Sequence, residues 1–273
     1  MSPGSGNTCT KICDSYRSGA CPRVFCLHSG GRANRVTTSE PGLGWYKTAM
    51  RKMPLHMRVA TEADTDAIGR VATAAFDPAT DAIARNLFPV RLQPAVPKPE
   101  NAAIAWRRTR KGIKMNTERI TLMVVTDEQL DGKIVGFSMW EEPLAEGQAG
   151  ESASKELVPC ETLDEEAYKE LRRVSEEATL GFLGKDGAKH MWYLDYLGVD
   201  PGQQRRGIGK MLLDWGLEKA REQDKDVYLI ATPAGRPLYQ AVGFEDLGSF
   251  MLFDTPHHGM IKRRPGYRRI SNE

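Results

Sequence analysis

Between a run that reads as an apolar strand ending at Val199 and one that reads as an amphipathic helix lies Gln204-Arg205-Arg206-Gly207-Ile208-Gly209-Lys210. A strand, a glycine-bearing loop and a helix start, in that order, line up backbone N–H groups at the positive end of a helix. That arrangement suits a phosphate. Gly207 and Gly209 have no side chain, so backbone can come close to a charged ligand. The N–H groups of residues 205–210 would add the partial charge of the helix, and Arg205, Arg206 and Lys210 whole charges. A pyrophosphate fits. The spacing is neither G-x-G-x-x-G nor the Walker loop, and a glycine-bearing helix start without a ligand fits the bare hexapeptide equally well.

Groups that could move protons stand near this loop. Tyr193 and Asp195 alternate onto one face of the strand that precedes it, with Tyr196 on the other. Asp195 reads either as a base acting through water, or an attractor of a cationic substrate, or as a structural hydrogen-bonder. Glu141 and Glu142 end an earlier strand and are further candidates. His257 and His258 read as surface residues of a tail and are assigned no metal. Cys9, Cys13, Cys21 and Cys26, with His28 nearby, have spacings that match zinc sites poorly, so no metal is expected. Cys160 stands alone, and reduced thiols point to an intracellular compartment.

The elements that must position these groups follow from periodicity. Strands are expected at 57–60, 120–126, 133–140, up to Val199, at 227–232 and at 248–253. Asp131-Gly132 marks a hairpin turn. Thr61, with Asp64 three residues on, caps a helix whose apolar face is Ala67, Ile68, Val71, Ala72, Ala75 and Phe76. Phe88 to Pro99 reads as proline-broken loop. A helix over 100–114 has a basic face (Arg107, Arg108, Arg110, Lys111, Lys114), read as solvated, with a phosphate or acidic partner as the alternative. Thr162-x-x-Glu165 opens another helix, and a short helix carries Tyr239. The order predicts an α/β domain with a mixed, mostly antiparallel sheet flanked by helices.

Composition bounds the rest. The 273 residues are 40% hydrophobic with a net charge of +2, so the whole chain is no obvious nucleic-acid or membrane binder. No run approaches a membrane span, and no secretory signal is expected. Residues 1–56 hold eight Lys/Arg against two Asp/Glu, and 1–54 read as a disordered basic arm, a transit segment, or sequence ahead of a true start at Met50, Met53 or Met57. Residues 141–177 hold twelve Asp/Glu against four Lys/Arg. This acidic insertion, at about 141–190 within a domain over 57–253, reads as a steering field for a cation or as a solvated face. Residues 254–273 read as a basic tail.

Taken together these motifs resemble the GNAT (GCN5-related N-acetyltransferase) superfamily. Gln204, Gly207 and Gly209 match its [QR]-x-x-G-x-[GA] loop. Leu197-Gly198-Val199-Asp200-Pro201 matches L-x-V-x-P, and Pro237-Leu238-Tyr239 with Gly243-Phe244 matches P-L-Y-x-x-x-G-F. The resemblance covers about 190–253 closely and 57–140 by element order alone. It implies the GNAT acyl-CoA N-acyltransferase fold, with acetyl-CoA as co-substrate. The pantetheine arm would lie along the backbone of Leu197, Gly198 and Val199, and the pyrophosphate on the N–H groups from Arg205 to Lys210, Ile208 included. Tyr239 would protonate the departing thiolate; the alternative is a packed helix residue. Some members have histidines where this chain has Tyr193 and Asp195, which puts a histidine relay in doubt. The resemblance thus implies acetyl transfer to an amine, and the acidic insertion, read as a steering field for a cation, favours the amine of a small molecule. A protein lysine or N-terminus is the alternative acceptor, and a non-catalytic acyl-CoA-binding module the alternative of another class. The expected location is cytoplasmic, or mitochondrial if the arm is a transit segment. Nucleic-acid association through the arm is the remaining alternative.

Overall fold

The computed structural model describes residues 54–266 apart from 97, 99–100 and 146–157. The readings of the arm and its four cysteines, of most of the loop after Glu142 and of the last seven residues fall outside that range. The elements are β1 (Leu55–Val59), α1 (Thr65–Ala75), α2 (Ala82–Leu87), α3 (Ala102–Met115), β2 (Ile120–Asp127), β3 (Lys133–Glu141) and α4 (Glu165–Leu183). They continue with β4 (Trp192–Val199), α5 (Ile208–Glu222), β5 (Val227–Ala231), α6 (Arg236–Ala241), β6 (Glu245–Leu252) and β7 (Thr255–Lys262). The sheet runs β1-β2-β3-β4-β5-β7-β6, with β4 and β5 parallel and the other pairs antiparallel. This is the mixed, mostly antiparallel sheet expected. Among the described residues no helix is long and apolar enough to cross a membrane.

The central strands β2 and β3 are buried on both faces, which is why ITLMVVTD and KIVGFSMWE are nearly continuous apolar runs. Asp131 and Gly132, both with positive φ (53° and 75°), close the hairpin between them. Helix α1 packs Ile68, Val71 and Ala72 on one face of the sheet, against Leu122, Val124, Phe137 and Met139. Helix α5 packs Leu212 and Leu213 on the other. Helix α4 lies on the α1 side, further along, where Phe182 sits so close that a Cβ at Gly259 would come within 2.4 Å of its ring.

Three expectations are corrected. Thr61 does pair with Asp64, but around a short 3-10 turn at 62–64 that precedes α1. The cap of α4 is Asp164, which accepts from Ala167 N–H, while Thr162 is buried behind it. Residues 254–262 are not tail: Thr255–Lys262 form β7, seated between β5 and β6. Helix α2 was not foreseen either, six residues being too few for a clear period.

Asp64 ties β1 to the start of α1. Its carboxylate accepts from Arg58 (2.6 and 2.8 Å) and from the Thr61 N–H (2.7 Å). The Arg58 hydrogen bonds, with those of Thr61, lower its pKa to about 2 despite its burial. Since the folded value lies below the unfolded one, the contribution is full above about pH 4 and disappears as the pH falls toward 2. Asp64→Asn should therefore cost about 1–2 kcal/mol at pH 7, allowing for screening at the half-exposed Arg58. The gap between the urea midpoints of the two proteins should close between pH 5 and pH 2.

Candidate functional site

The site begins where β4 leaves β5. Their parallel pairing runs from Trp192↔Val227 to Leu194↔Leu229 and stops there, although both strands continue. On its other side β4 stays paired with β3 as far as Val199. That register slips by one at Asp195: Trp140 faces Leu194 and Met139 faces Tyr196, so Asp195 is a bulge. A bulge adds local twist and re-aims side chains. It places Tyr193 and Tyr196 on the same face, Tyr193 stacked on Tyr228 and Tyr196 on Phe137. The expected alternation, with Tyr193 and Asp195 sharing a face opposite Tyr196, is thereby overturned.

Leu197 and Val199 pack their side chains against α5, and their backbone lies beyond the last residue that pairs with β5. At Gly198 a Cβ would come within 2.6 Å of the Phe137 ring, so this glycine answers to sheet packing. Ahead of α5, Arg205 (φ 64°) and Gly207 (φ 82°) are both left-handed, and Gly207 is the N-cap. This turns the loop so that the first N–H groups of α5, from Ile208, Gly209 and Lys210, have no carbonyl of their own helix to bond. The Ile208 side chain is core, pressed over Gly136. Gln204 bonds the Val199 carbonyl (3.5 Å) and Lys210 bonds Asp214 (2.5 Å). Arg206 differs from expectation. Its guanidinium donates to the buried Asp127 (2.6 Å) and also contacts Gln203, anchoring the loop to the end of β2. These residues fit a diphosphate through backbone N–H groups, with Arg205 and Lys210 as the side chains on the cavity.

The loop, the open edge of β4 and Tyr239 line one cavity of about 1330 Å³ that also takes in α3 and α4. Tyr239 lies on α6 with its ring edge-on to Phe244, and burial pushes its pKa up to about 12. So raised, the phenol stays neutral and has a proton with which to form a hydrogen bond. Asp195, half-buried, shares the cavity with Glu141 and Tyr193. Burial, opposed by Arg119 and Lys114, raises Glu141 above its ordinary value, and Arg119 holds it at 2.8 Å. Burial, then the charge of Asp195, raises Tyr193 well above the usual tyrosine value. His257 also lines the cavity, only 2% exposed, with burial lowering its pKa. Reading β7 as tail hid it; apolar residues at 260–261 after the histidine pair were the available signal. Cys160 is structural, packed near Ala102 and Thr162. Among the described residues no His, Cys, Asp and Glu cluster could hold a metal.

The basic helix departs from its solvated reading, while the acidic one takes the solvated-face reading. The basic face of α3 points inward: Arg107, Lys111 and Lys114 are 5%, 7% and 9% exposed. The acidic residues of α4 point outward and pair along their own helix, Arg173 with Glu170 and Glu177, Lys169 with Glu166, Arg172 with Glu176. Exposed i,i+3 and i,i+4 pairs of this kind leave little field to steer a cation.

Lys111 Nζ sits 3.8 Å from the Tyr196 ring and 5.5 Å from that of Phe137. Burial lowers its pKa to about 7; Asp195 opposes the shift, while Arg110, Arg107 and Lys114 add to it. A folded value below the unfolded one means that the unfolded chain holds more protons between about pH 7 and 10.5. Lys111 therefore weakens the fold most below pH 7, and the penalty fades as the pH rises. Lys111→Met should raise the urea midpoint at pH 6, and the gain should shrink steadily by pH 10.

The acetyltransferase (GNAT) family model matches residues 91–244. A protein of Ajellomyces capsulatus named Probable acyltransferase SID5 is 39% identical over 66 residues, 23% of this chain and 48% of that one. An acetyltransferase of Stachybotrys chartarum is 28% identical over 147 residues, 48% of this chain and 59% of that one. The chain thus spans about half the length of the curated relatives it matches. Among solved structures, yncA from Salmonella typhimurium, with its cofactor acetyl-CoA, is 14% identical at a TM-score of 0.44, covering 78% of this chain and 96% of that one. With the family match over more than half of its residues, and with the parted strands and helix start falling inside that match, the chain belongs to the acetyltransferase (GNAT) family.

Proposed function

We propose that the chain transfers an acetyl group from acetyl-CoA to the amine of a small molecule. One observation carries this reading: the open edge of β4, the free N–H groups of α5 and the protonated Tyr239 meet on one cavity. The edge beyond Leu194 offers backbone hydrogen bonds to an extended amide chain, as an added strand would. The α5 start offers them to a diphosphate. Bound there, acetyl-CoA would supply a thioester carbonyl to an attacking amine.

The chain's own residues would handle the protons. Tyr239 stands as the donor to the leaving group: burial keeps its phenol neutral, so it can hydrogen-bond the departing sulfur. Because a thiol of ordinary pKa about 8.5 is the stronger acid, the thiolate takes its proton in full only on release to water. Asp195 stands as the base, acting on an ammonium group directly or through water, with Glu141 beside it. Both carboxylates line the cavity and are half-buried there, which supports a compact acceptor.

Calorimetry with coenzyme A should show one site per chain, and its absence at millimolar coenzyme A would end the reading. Thiol release should then follow with one or more of a panel of amines; release only with lysine peptides would move the acceptor to proteins. Binding without release on any acceptor would leave a non-catalytic module. Tyr239→Phe should lower kcat on the order of 100-fold while leaving coenzyme A affinity within about twofold.

A further inference from the structure

The inner face of α3 is a poor place for cations unless something anionic meets them. Arg107, Lys111 and Lys114 follow one another at i, i+4 and i+7, so they share one side of the helix, and all three line the cavity. Each is at least nine-tenths buried. Arg107 donates through Nη1 to the Tyr196 hydroxyl (3.1 Å), and its buried Nε has no partner. Lys111 Nζ has the Tyr196 and Phe137 rings against it, with Asp195 as the carboxylate whose charge it feels. Lys114 feels Glu141, but Glu141 is already held by Arg119. Arg110, on the same helix, lies over the Trp106 and Tyr168 rings. With the Arg119–Glu141 pair set aside, Asp195 is the carboxylate left to these three buried basic side chains, and burial already strips part of the charge from Lys111 at neutral pH.

An unpaired buried charge costs several kcal/mol, of which ring faces return only part. Leucine or methionine at these positions would pack without that cost. A set of side chains that weakens the fold and faces a cavity is what a ligand site requires. The coenzyme diphosphate is not the matching anion, because the α5 loop lies against the opposite face of the sheet from α3.

We propose that the acceptor carries an acid group, carboxylate or phosphate, which Arg107, Lys111 and Lys114 hold on the α3 wall while its amine faces Asp195. This names the acceptor class of the acetyl-transfer site and rests on that reading. A guanidinium fork suits either acid, and two lysines beside it, protonated once an anion is bound, suit the higher charge of a phosphate.

The test uses the full chain, acetyl-CoA and matched amines: β-alanine against ethylamine, and phosphoethanolamine against ethanolamine. The acid member of at least one pair should show a kcat/KM tenfold or more above its neutral partner. Which pair responds tells carboxylate from phosphate. Arg107→Gln and Lys111→Met should each bring that ratio toward one. Lys111→Met is expected to fold more stably than the parent, so a lost preference there cannot be ascribed to unfolding. Neutral amines reacting as well as acidic ones would overturn the proposal. If none of the four reacts, β-alanine and inorganic phosphate are titrated calorimetrically into the coenzyme-A-loaded protein. Binding weakened tenfold by Lys111→Met supports the anion site, and no binding, or binding indifferent to both substitutions, rejects it. Coenzyme A calorimetry on the same proteins separates the two readings, since its failure sinks acetyl transfer whatever the anions do.

Discussion

Beyond Leu194, β4 keeps its hydrogen bonds to β3 and gives up those to β5. The extra residue at Asp195 accounts for the choice, because a bulge twists a strand away from one neighbour while the ladder resumes with the other. Much of the rest follows from that parting. It opens the sheet between a helical layer of α1 and α3 and one of α5 and α6, so that one cavity reaches both. It exposes backbone polar groups that would otherwise be paired, in a place where burial without partners would be costly. It also turns Tyr196 onto the α3 side, where its ring and hydroxyl meet Lys111 and Arg107.

The placement of charge is the second constraint. In α4, opposite charges three and four residues apart neutralise each other on the surface. In α3 the cations face inward and the aromatic residues Phe88, Trp106, Phe137 and Tyr196 surround them. Folding tolerates this because sheet and helix packing elsewhere is dense: Ile68, Val124, Phe137, Leu212 and Leu213 have no exposed surface. A core built this way leaves room for a costly wall at the cavity.

Much of the architecture was legible because its signals are local. The runs at 120–127 and 133–141, the Asp131-Gly132 turn and the Gly207 cap each depend on residues within a few positions of one another. The glycine-bearing loop ahead of α5 was legible for the same reason. β7 was not, since Pro256, His257, His258 and Gly259 have little strand preference of their own; the place between β5 and β6 makes them a strand. Nor was the role of Arg206, whose partner Asp127 is 79 residues away.

By itself, then, the sequence determined the order of the elements other than α2 and β7, the loop ahead of α5 and the position of Tyr239, because short-range periodicity and glycine backbone freedom act within a single stretch of chain. The tertiary structure decided which face of α3 is buried, that His257 lines the cavity, and that Asp195 interrupts a strand. Those outcomes depend on neighbours distant in the chain. A basic helix face reads the same whether water or a cavity covers it, and a one-residue slip between β3 and β4 has no signature in β4 alone.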